Sequence, residues 1–238
     1  MARLALVAGA SRNIGRAVAV RLAQSGLAVA AVARSDAEGL EQTCSLVRSV
    51  GGQVSAHLAD VSDPQRVRTL VAEAQESWGA VSVLVHTVAI RPRHTLATIS
   101  LDEWRRVMAT NLESLFLLSQ AVLPGMVEAG WGRIIGFSGL GAHTGDVPGG
   151  VGSASKCGVE GFIRSLAGEY AGSGITANVV LPGGIDTVGK RLEAARRSPP
   201  PIGRRGTAAE VAEAVAYFAS PESAFTTGQV LCVTGGAR

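Results

Sequence analysis

Short apolar runs alternate with longer segments of helical periodicity along the whole of this 238-residue chain. Seven runs are rich in Val, Ala, Leu and Ile, and they have the length of buried strands rather than of helices. Strands that alternate with helices form a parallel sheet, because parallel neighbours must be joined by a crossover. The pattern predicts one α/β domain over residues 1–238, with a seven-stranded, doubly wound parallel sheet and helices on both faces.

The predicted elements follow from this alternation. Strands are predicted at Leu4–Ala8, Ala28–Ala33, Val54–Leu58, Val81–His86, Arg133–Phe137, Thr176–Leu181 and Gln229–Val233. Helices are predicted at Ile14–Ser25, Ala37–Ser49, Pro64–Trp78, Leu101–Glu128, Ser153–Gly172 and Ala208–Ser220. Ligands of such sheets bind outside the carboxyl ends of the strands, so the loops that follow the strands are expected to carry the site.

Composition excludes several classes of protein. A net charge of +3, scattered arginines and only 4% aromatic residues give no nucleic-acid-binding surface. No apolar run approaches the roughly 20 residues that span a bilayer, so no membrane segment is expected. The three cysteines and four histidines lack the spacing of metal ligands. We therefore expect no metal site and a reduced, cytoplasmic location.

A glycine-rich turn, Gly9–Gly15 with the sequence GASRNIG, joins the first predicted strand to the first helix. Glycines let the turn tighten and let a phosphate approach the backbone, while the helix N-terminus offers free N–H groups and a positive dipole end. This turn predicts the pyrophosphate site of a Rossmann-type domain, with a purely structural turn as the alternative. The candidate cofactor-binding residues are Gly9, Ser11, Arg12, Asn13, Ile14 and Gly15.

The residue after the second strand indicates which dinucleotide is bound. An acid there accepts a hydrogen bond from the ribose 2′-hydroxyl of NAD, whereas an arginine suits the 2′-phosphate of NADP. The chain has Arg34 at this place, and Arg12 is able to approach it from the glycine-rich turn. NADP(H) is therefore favoured over NAD(H). Asp36 close by leaves open the alternative of a solvated Arg34 with no role.

Several features resemble those of the short-chain dehydrogenase/reductase family, and they occur in the family's order over essentially the whole chain. They are the Gly9–Gly15 turn, Asp60-Val61, Asn111, Lys156, Pro182-Gly183 followed by Thr187, and Thr227-Gly228-Gln229. The resemblance implies a dinucleotide cofactor whose adenine is bordered by Asp60 and Val61. It also places Pro182, Gly183 and Thr187 among the cofactor-binding residues.

The same resemblance implies a catalytic arrangement that this chain lacks. Family members use a tyrosine phenol to move the proton, a serine hydroxyl to polarise the same oxygen, and a lysine to lower the pKa of the phenol. Here the Y-x-x-x-K pattern has Gly152 in the tyrosine position, four residues before Lys156. The serine position is Gly139, and the neighbouring Ser138 is expected to face the opposite side of its strand.

Three further features bear on activity. The N-N-A-G turn of the family is His86–Ala89 here, so a β-carbon is added where the backbone passes close to the cofactor. The charged run 190–197 lies where the family has a mobile substrate lid. Arg91 and Arg93 are candidates for binding a substrate carboxylate or a coenzyme A phosphate, or are simply solvated.

Lys156, Asn111 and His143 are the candidate catalytic residues. By resemblance, Lys156 holds the nicotinamide ribose and Asn111 places a water in a proton relay. A structural role for each of the two is the alternative. His143, on the loop between the serine and tyrosine positions, is a candidate replacement acid because imidazole titrates near neutrality. An exposed loop histidine without function is the alternative.

Two functional hypotheses remain open. The first is a non-catalytic subunit that assembles with an active relative through the long helices 101–128 and 153–172 and that binds NADP(H) or no cofactor. Leu112, Leu115, Phe116 and Ala121 are candidates for that contact, or they face the sheet. The second hypothesis is an atypical NADPH-dependent oxidoreductase of a ketone, secondary alcohol or hydroxyacyl thioester. Its proton would come from His143, from a water held by Asn111 and Lys156, or from the substrate.

Overall fold

The computed structural model describes residues 3–187 and 199–237 and contains one seven-stranded sheet with the order β3-β2-β1-β4-β5-β6-β7. Every neighbouring pair is parallel, which confirms the predicted doubly wound Rossmann-type fold. The strands are β1 Leu4–Ala8, β2 Ala28–Ala33, β3 Val54–Leu58, β4 Val81–His86, β5 Gly132–Phe137, β6 Ile175–Pro182 and β7 Val230–Val233.

Helices cover both faces of the sheet. They are α1 Asn13–Gln24, α2 Ala37–Ser49, α3 Pro64–Trp78, α4 Leu101–Met108, α5 Ser114–Glu128, α6 Gly141–Thr144, α7 Gly150–Tyr170 and α8 Ala208–Ala219. Side chains alternate across each strand, so Leu4 and Leu6 of β1 join one core while Ala5 and Val7 join the other. The first core packs against α3, α5 and α7, and the second packs against α1, α2 and α8.

Two predicted helices differ from the structure in ways that affect the site. The predicted helix 101–128 is interrupted between α4 and α5 by a π-helical turn, Ala109–Glu113, which contains Asn111. Such turns are rare and often lie at functional sites. The predicted helix 153–172 begins earlier, so that Gly150 starts α7 and Gly152 lies in its first turn. Hydrophobic periodicity did not indicate this start because glycines carry no side chain.

The Thr227-Gly228-Gln229 segment ties the last two strands together. The N–H of Ala177 donates to Thr227 Oγ1 (3.1 Å), and Asn178 Oδ1 accepts from the N–H of Gln229 (3.0 Å). Gly228 has φ +70°, a conformation that glycine adopts without strain. This motif therefore fixes β6 against β7.

Within the described residues, no helix is long and apolar enough to cross a membrane. The same residues contain no group of three or more His, Cys, Asp or Glu side chains that is able to hold a metal ion.

Candidate active site

The glycine-rich turn after β1 packs so closely that two of its glycines leave no room for a side chain. A β-carbon on Gly9 would lie 2.5 Å from Thr87 Oγ1, and one on Gly15 would overlap the carbonyl of Gly9. Thr87 Oγ1 itself donates to the carbonyl of Ala8 (2.8 Å). The turn is thus tightly packed at the carboxyl end of β1, next to the start of α1, which is where a pyrophosphate site is expected.

Two side chains that the sequence did not single out hold this turn in place. Arg16 donates from its guanidinium to the carbonyls of Ser11 and Gly39 and to Thr43 Oγ1 (3.0 Å). Thr43 Oγ1 in turn donates to the carbonyl of Ala10 (2.8 Å). Helix α2 therefore clamps the turn through backbone acceptors. Such tertiary contacts leave no signal in the sequence, because helical periodicity does not show which polar side chain reaches another element.

The residues that open α1 differ in their roles. Asn13 has φ +52°, the left-handed conformation that asparagine tolerates better than most residues. Arg12 precedes α1 and is exposed, so its guanidinium is accessible to an anion. Asp36 caps α2 by accepting from the N–H of Gly39 (3.0 Å), and this hydrogen bond, with Ser11, holds its pKa below the usual value. This capping role accounts for Asp36 without a ribose contact.

Arg34 and Asp60 end two adjacent strands and face the same edge of the sheet. Arg34 is exposed directly after β2. Burial would raise the pKa of Asp60, but hydrogen bonds from Ser62 and the nearby charge of Arg34 lower it on balance. Val61 beside Asp60 is buried at 5% exposure. A positively charged side chain and an apolar residue therefore border the place where the adenosine end of a dinucleotide is expected.

Asn111 is fully buried and holds the loop after β4. Its Oδ1 accepts from the N–H of Ile90 (2.8 Å), and its Nδ2 donates to the carbonyl of Ile90 (3.0 Å) and to Ser155 Oγ (3.0 Å). Ser155 Oγ donates onward to the carbonyl of Gly152 (2.8 Å). The π-helical turn thus connects, through Asn111, the loop after β4 with the first turn of α7.

Lys156 lies at 5% exposure, and its ammonium donates to the carbonyl of Phe137 (2.7 Å) at the end of β5. Burial, together with the positive charge of Arg91, lowers the pKa of Lys156 to about 7. Its ammonium has three N–H donors, and one of them is used in this contact. Lys156 is thus held at the carboxyl edge of the sheet with donors left for a ligand.

His86, at the end of β4, is also fully buried. Its Nε2 lies 2.7 Å from Ser114 Oγ, whose proton goes to the carbonyl of Thr110 (2.7 Å). The imidazole must therefore donate from Nε2, and Nδ1 has no hydrogen-bonding partner. Burial and the charge of Lys156 lower the pKa of His86 to about 3, so the ring is neutral near pH 7.

Gly139 and Gly152 lie where the family resemblance expects the serine and the tyrosine. Among the described residues, a β-carbon on Gly152 would have no heavy atom within 4 Å outside its own helix backbone, so these residues leave the space beside the start of α7 open. A β-carbon on Gly139 would meet, of the atoms that the structure describes, only Arg91 Nη2, at 3.6 Å. Ser138 is fully buried and donates to Glu160 Oε1 (2.6 Å), so its hydroxyl connects the end of β5 to α7.

His143 is placed on α6, where its Nε2 lies 3.0 Å and 3.1 Å from the two carboxylate oxygens of Glu160. Glu160 is buried and also accepts from Ser138 and from Arg164 Nη2 (3.1 Å). The imidazole is thus engaged by a carboxylate that fastens α6 to α7. With Nε2 held by the carboxylate, His143 would have to act as replacement acid through Nδ1. Nothing in the sequence pattern indicated Glu160 as its partner.

The loop after β6 contains the remaining cofactor candidates. The N–H of Gly183 donates to the carbonyl of Val233 (3.0 Å), and a β-carbon on Gly183 would lie 2.8 Å from Thr234 Cα. Pro182 ends β6, and Thr187 is the last residue described before the gap. The charged run 190–197 that was predicted to form a substrate lid lies outside the described residues.

Comparisons with known proteins agree with this geometry. Residues 9–238 match the family model described as enoyl-(acyl carrier protein) reductase. The chain is 38% identical to the 3-oxoacyl-[acyl-carrier-protein] reductase FabG of Pseudomonas aeruginosa, over 98% of this chain and 96% of that protein. It is 37% identical to FabG of Escherichia coli (strain K12), with the same coverage.

A solved structure of actinorhodin polyketide ketoreductase, a phenylalanine-to-tryptophan variant with NADPH, superimposes on this fold with a TM-score of 0.93. It is 36% identical in sequence and covers 98% of this chain and 96% of its own. The chain spans nearly the full length of each of these proteins. It therefore belongs to the short-chain dehydrogenase/reductase family.

Proposed function

We propose that this chain is a cofactor-binding but non-catalytic member of its family, which assembles with an active relative in the cytoplasm. The observation that carries the proposal is the pair Gly139 and Gly152, which offer no hydroxyl in the two positions where family chemistry needs one. When bound, a nicotinamide cofactor supplies hydride transfer. The protein must supply the proton and polarise the carbonyl oxygen, and those two groups are missing here.

The size of this loss supports a non-catalytic role. A positioned general acid contributes about 10²- to 10⁴-fold in rate. Removing one donor to a developing oxyanion costs a further ~10²- to 10³-fold. Within the described residues, no side chain lies within 4 Å of a β-carbon position on Gly152. Lys156 remains, but the tyrosine whose pKa it would lower is absent.

Retention of the dinucleotide site supports the cofactor part of the proposal. The residues are Gly9, Ser11, Arg12, Asn13, Ile14, Gly15, Arg34, Asp60, Val61, Lys156, Pro182, Gly183 and Thr187. Arg34 and Arg12 are both exposed at the edge where a 2′-phosphate would lie, and Asp36 is engaged as a helix cap. NADP(H) is therefore the preferred dinucleotide.

An exposed apolar surface on α5 and α7 supports assembly. Phe116 is 42% exposed, and its ring contacts Phe162 edge to face at a centroid distance of 6.3 Å. Leu112 packs against Gly158 of α7, whereas Leu115 is fully buried in the sheet core and faces the sheet. Phe116 and Phe162 are thus the aromatic residues available to a partner helix pair.

A second candidate function, an atypical NADPH-dependent reductase, is favoured by one observation. The pKa of Lys156 is lowered to about 7, so an ammonium at the edge of the sheet exchanges its proton near neutrality. Water held between Lys156 and Asn111 would then deliver the proton to the substrate. This candidate predicts measurable turnover by the natural chain, whereas the first predicts none.

Binding and turnover measured on one preparation test the proposal. Tryptophan fluorescence during titration with NADPH and with NADH should show saturable binding with a preference for NADPH. The same protein should not oxidise NADPH with acetoacetyl-coenzyme A above the rate without protein. Purification from native extract should recover a relative with the complete Ser, Tyr and Lys set. A homo-oligomer that turns over a ketone would overturn the non-catalytic role.

A further inference from the structure

An arginine from the loop after β4 lies beside Gly139, the position where the family resemblance expects a serine. Arg91 follows β4, and its Nη2 is the heavy atom nearest to where a side chain on Gly139 would begin, at 3.6 Å. Arg91 is exposed as a residue, yet the protein around its guanidinium desolvates it enough to lower its pKa. Exposure and a lowered pKa occur together in a group that lines a cleft, because such a group is surrounded by protein and is still reached by solvent.

The charge at this place is positive. Lys156 feels the charge of Arg91, so the two cationic groups lie close enough to interact. Asp146 is the carboxylate that acts on Arg91, and it is also paired with Arg93 at 3.4 Å. Arg91 and Arg93 therefore share the carboxylate of Asp146, while Lys156 adds a further positive charge, and a ligand that brings a second carboxylate would balance the site. The planar guanidinium of arginine matches a carboxylate with two parallel hydrogen bonds.

The surrounding space has room for such a ligand. In the described part of the chain, no atom outside the helix backbone lies within 4 Å of a β-carbon position on Gly152, which leaves space beside it. A neighbouring cleft of about 280 Å³ has mainly apolar walls that include Leu96, Trp104 and Val151. Asp146 lies on the wall of this cleft, which therefore adjoins the Arg91 site. A ligand with a carboxylate at one end and a short apolar chain at the other fits a cationic site next to an apolar cleft.

We propose that Arg91 and Lys156 form a carboxylate-binding site in the space left by Gly139 and Gly152, with the apolar cleft receiving the rest of the ligand. The inference rests on the proposed function, since the space is free only because the catalytic side chains are missing. The ligand class proposed for this site is a short-chain carboxylate, in place of a carbonyl substrate that must be protonated.

Hexanoate and hexanamide test this site, because they share shape and chain length and differ in charge. Calorimetry on the full chain should show saturable hexanoate binding, at least about tenfold tighter than that of hexanamide. Arg91→Gln should remove most of this preference, and Arg91→Lys should weaken hexanoate binding several-fold by removing the bidentate geometry. Arg105→Gln is the control, because Arg105 is 69% exposed on α4 and its loss changes the net charge equally.

Several outcomes would overturn the carboxylate site. Equal binding of hexanoate and hexanamide by the natural chain is one, and unchanged preference in Arg91→Gln is another. If Arg91→Gln does not fold, unchanged hexanoate affinity in Arg91→Lys would contradict the proposal equally well. NADPH affinity and turnover are measured on the same variants, so a failure of carboxylate binding is distinguishable from a failure of the proposed function.

Discussion

The two ends of the proposed cofactor and substrate site differ in how tightly they are packed. At the dinucleotide end, the Gly9–Gly15 turn is packed to contact and is clamped by Arg16 and Thr43 through backbone acceptors. At the other end, no described atom lies within 4 Å of a β-carbon position on Gly152, and among the described atoms only Arg91 Nη2 approaches that of Gly139. The two ends therefore differ in packing, as we expect if the chain binds a dinucleotide without moving a proton.

Replacing one glycine by alanine at each end tests whether the two ends differ in packing. In Gly15→Ala the new β-carbon overlaps the carbonyl of Gly9, so we expect a loss of about 3 kcal/mol in the free energy of unfolding. NADPH affinity should fall by at least about 100-fold, since the turn must shift. Gly152→Ala, also near a helix start, should instead gain about 0.5–1 kcal/mol and bind NADPH as before.

Chemical denaturation and NADPH titration of both variants give the comparison. Equal destabilisation by the two substitutions would show that the open space beside Gly152 is filled in solution, and the contrast would fail.

Acidification should destabilise the protein through His86. The folded pKa is about 3 and the unfolded value is about 6.5, so the unfolded chain binds a proton that the folded chain does not. The stability contributed by neutral His86 is present above pH 6.5 and is lost as the pH falls towards 3. At pH 5 this loss is about 2 kcal/mol.

The variant His86→Asn lacks the titrating group, so its unfolding free energy should fall less between pH 7 and pH 5 than that of the natural chain. Parallel pH profiles for the two proteins would contradict the buried neutral state of His86.

Substitution of Arg34 tests which dinucleotide this end of the site prefers. If its guanidinium binds the 2′-phosphate, Arg34→Ala should weaken NADPH binding by about tenfold, the equivalent of 1.4 kcal/mol. NADH has no 2′-phosphate, so its affinity should not change and serves as the control. Equal weakening of both nucleotides in a fluorescence titration would assign Arg34 a structural role.

The smallest expected effect concerns the clamp on the glycine-rich turn. Thr43→Val removes the hydroxyl that donates to the carbonyl of Ala10 (2.8 Å) while nearly conserving shape. The hydroxyl also accepts from Arg16, which keeps its bonds to the carbonyls of Ser11 and Gly39, so we expect the change to cost about 1 kcal/mol of unfolding free energy. Thr69→Val is a matched control on α3, since its exposed hydroxyl bonds only to its own helix. A similar cost for both variants, measured by urea denaturation, would show that Thr43 does not stabilise the glycine-rich turn.

The sequence predicted the fold well because alternating strands and helices leave a strong periodic signal. All seven strands were placed, with ends that differ by a residue or so at β5, β6 and β7. It predicted the glycine-rich turn for a similar reason, since only glycine satisfies such a close approach. The start of α7 was misplaced by three residues because Gly150 and Gly152 carry no pattern.

The contacts around the altered site were not predictable from the sequence. Three contacts illustrate this: Arg91 lies beside Gly139, Glu160 contacts His143, and Ser155 contacts Asn111. The two residues of each contact are 17 to 48 positions apart in the sequence. Periodicity and local motifs report on neighbours along one element. Which polar side chains meet across elements is decided by packing, which only the three-dimensional structure describes.

Restoring the missing pair tests the central claim most directly. No described atom crowds the β-carbon position of either glycine, so we expect Gly139→Ser together with Gly152→Tyr to fold and to retain NADPH binding. We predict that the natural chain does not oxidise NADPH with acetoacetyl-coenzyme A and that the double variant gains at least about 100-fold over that baseline. Turnover by the natural chain at a rate that the double variant does not exceed would contradict the account.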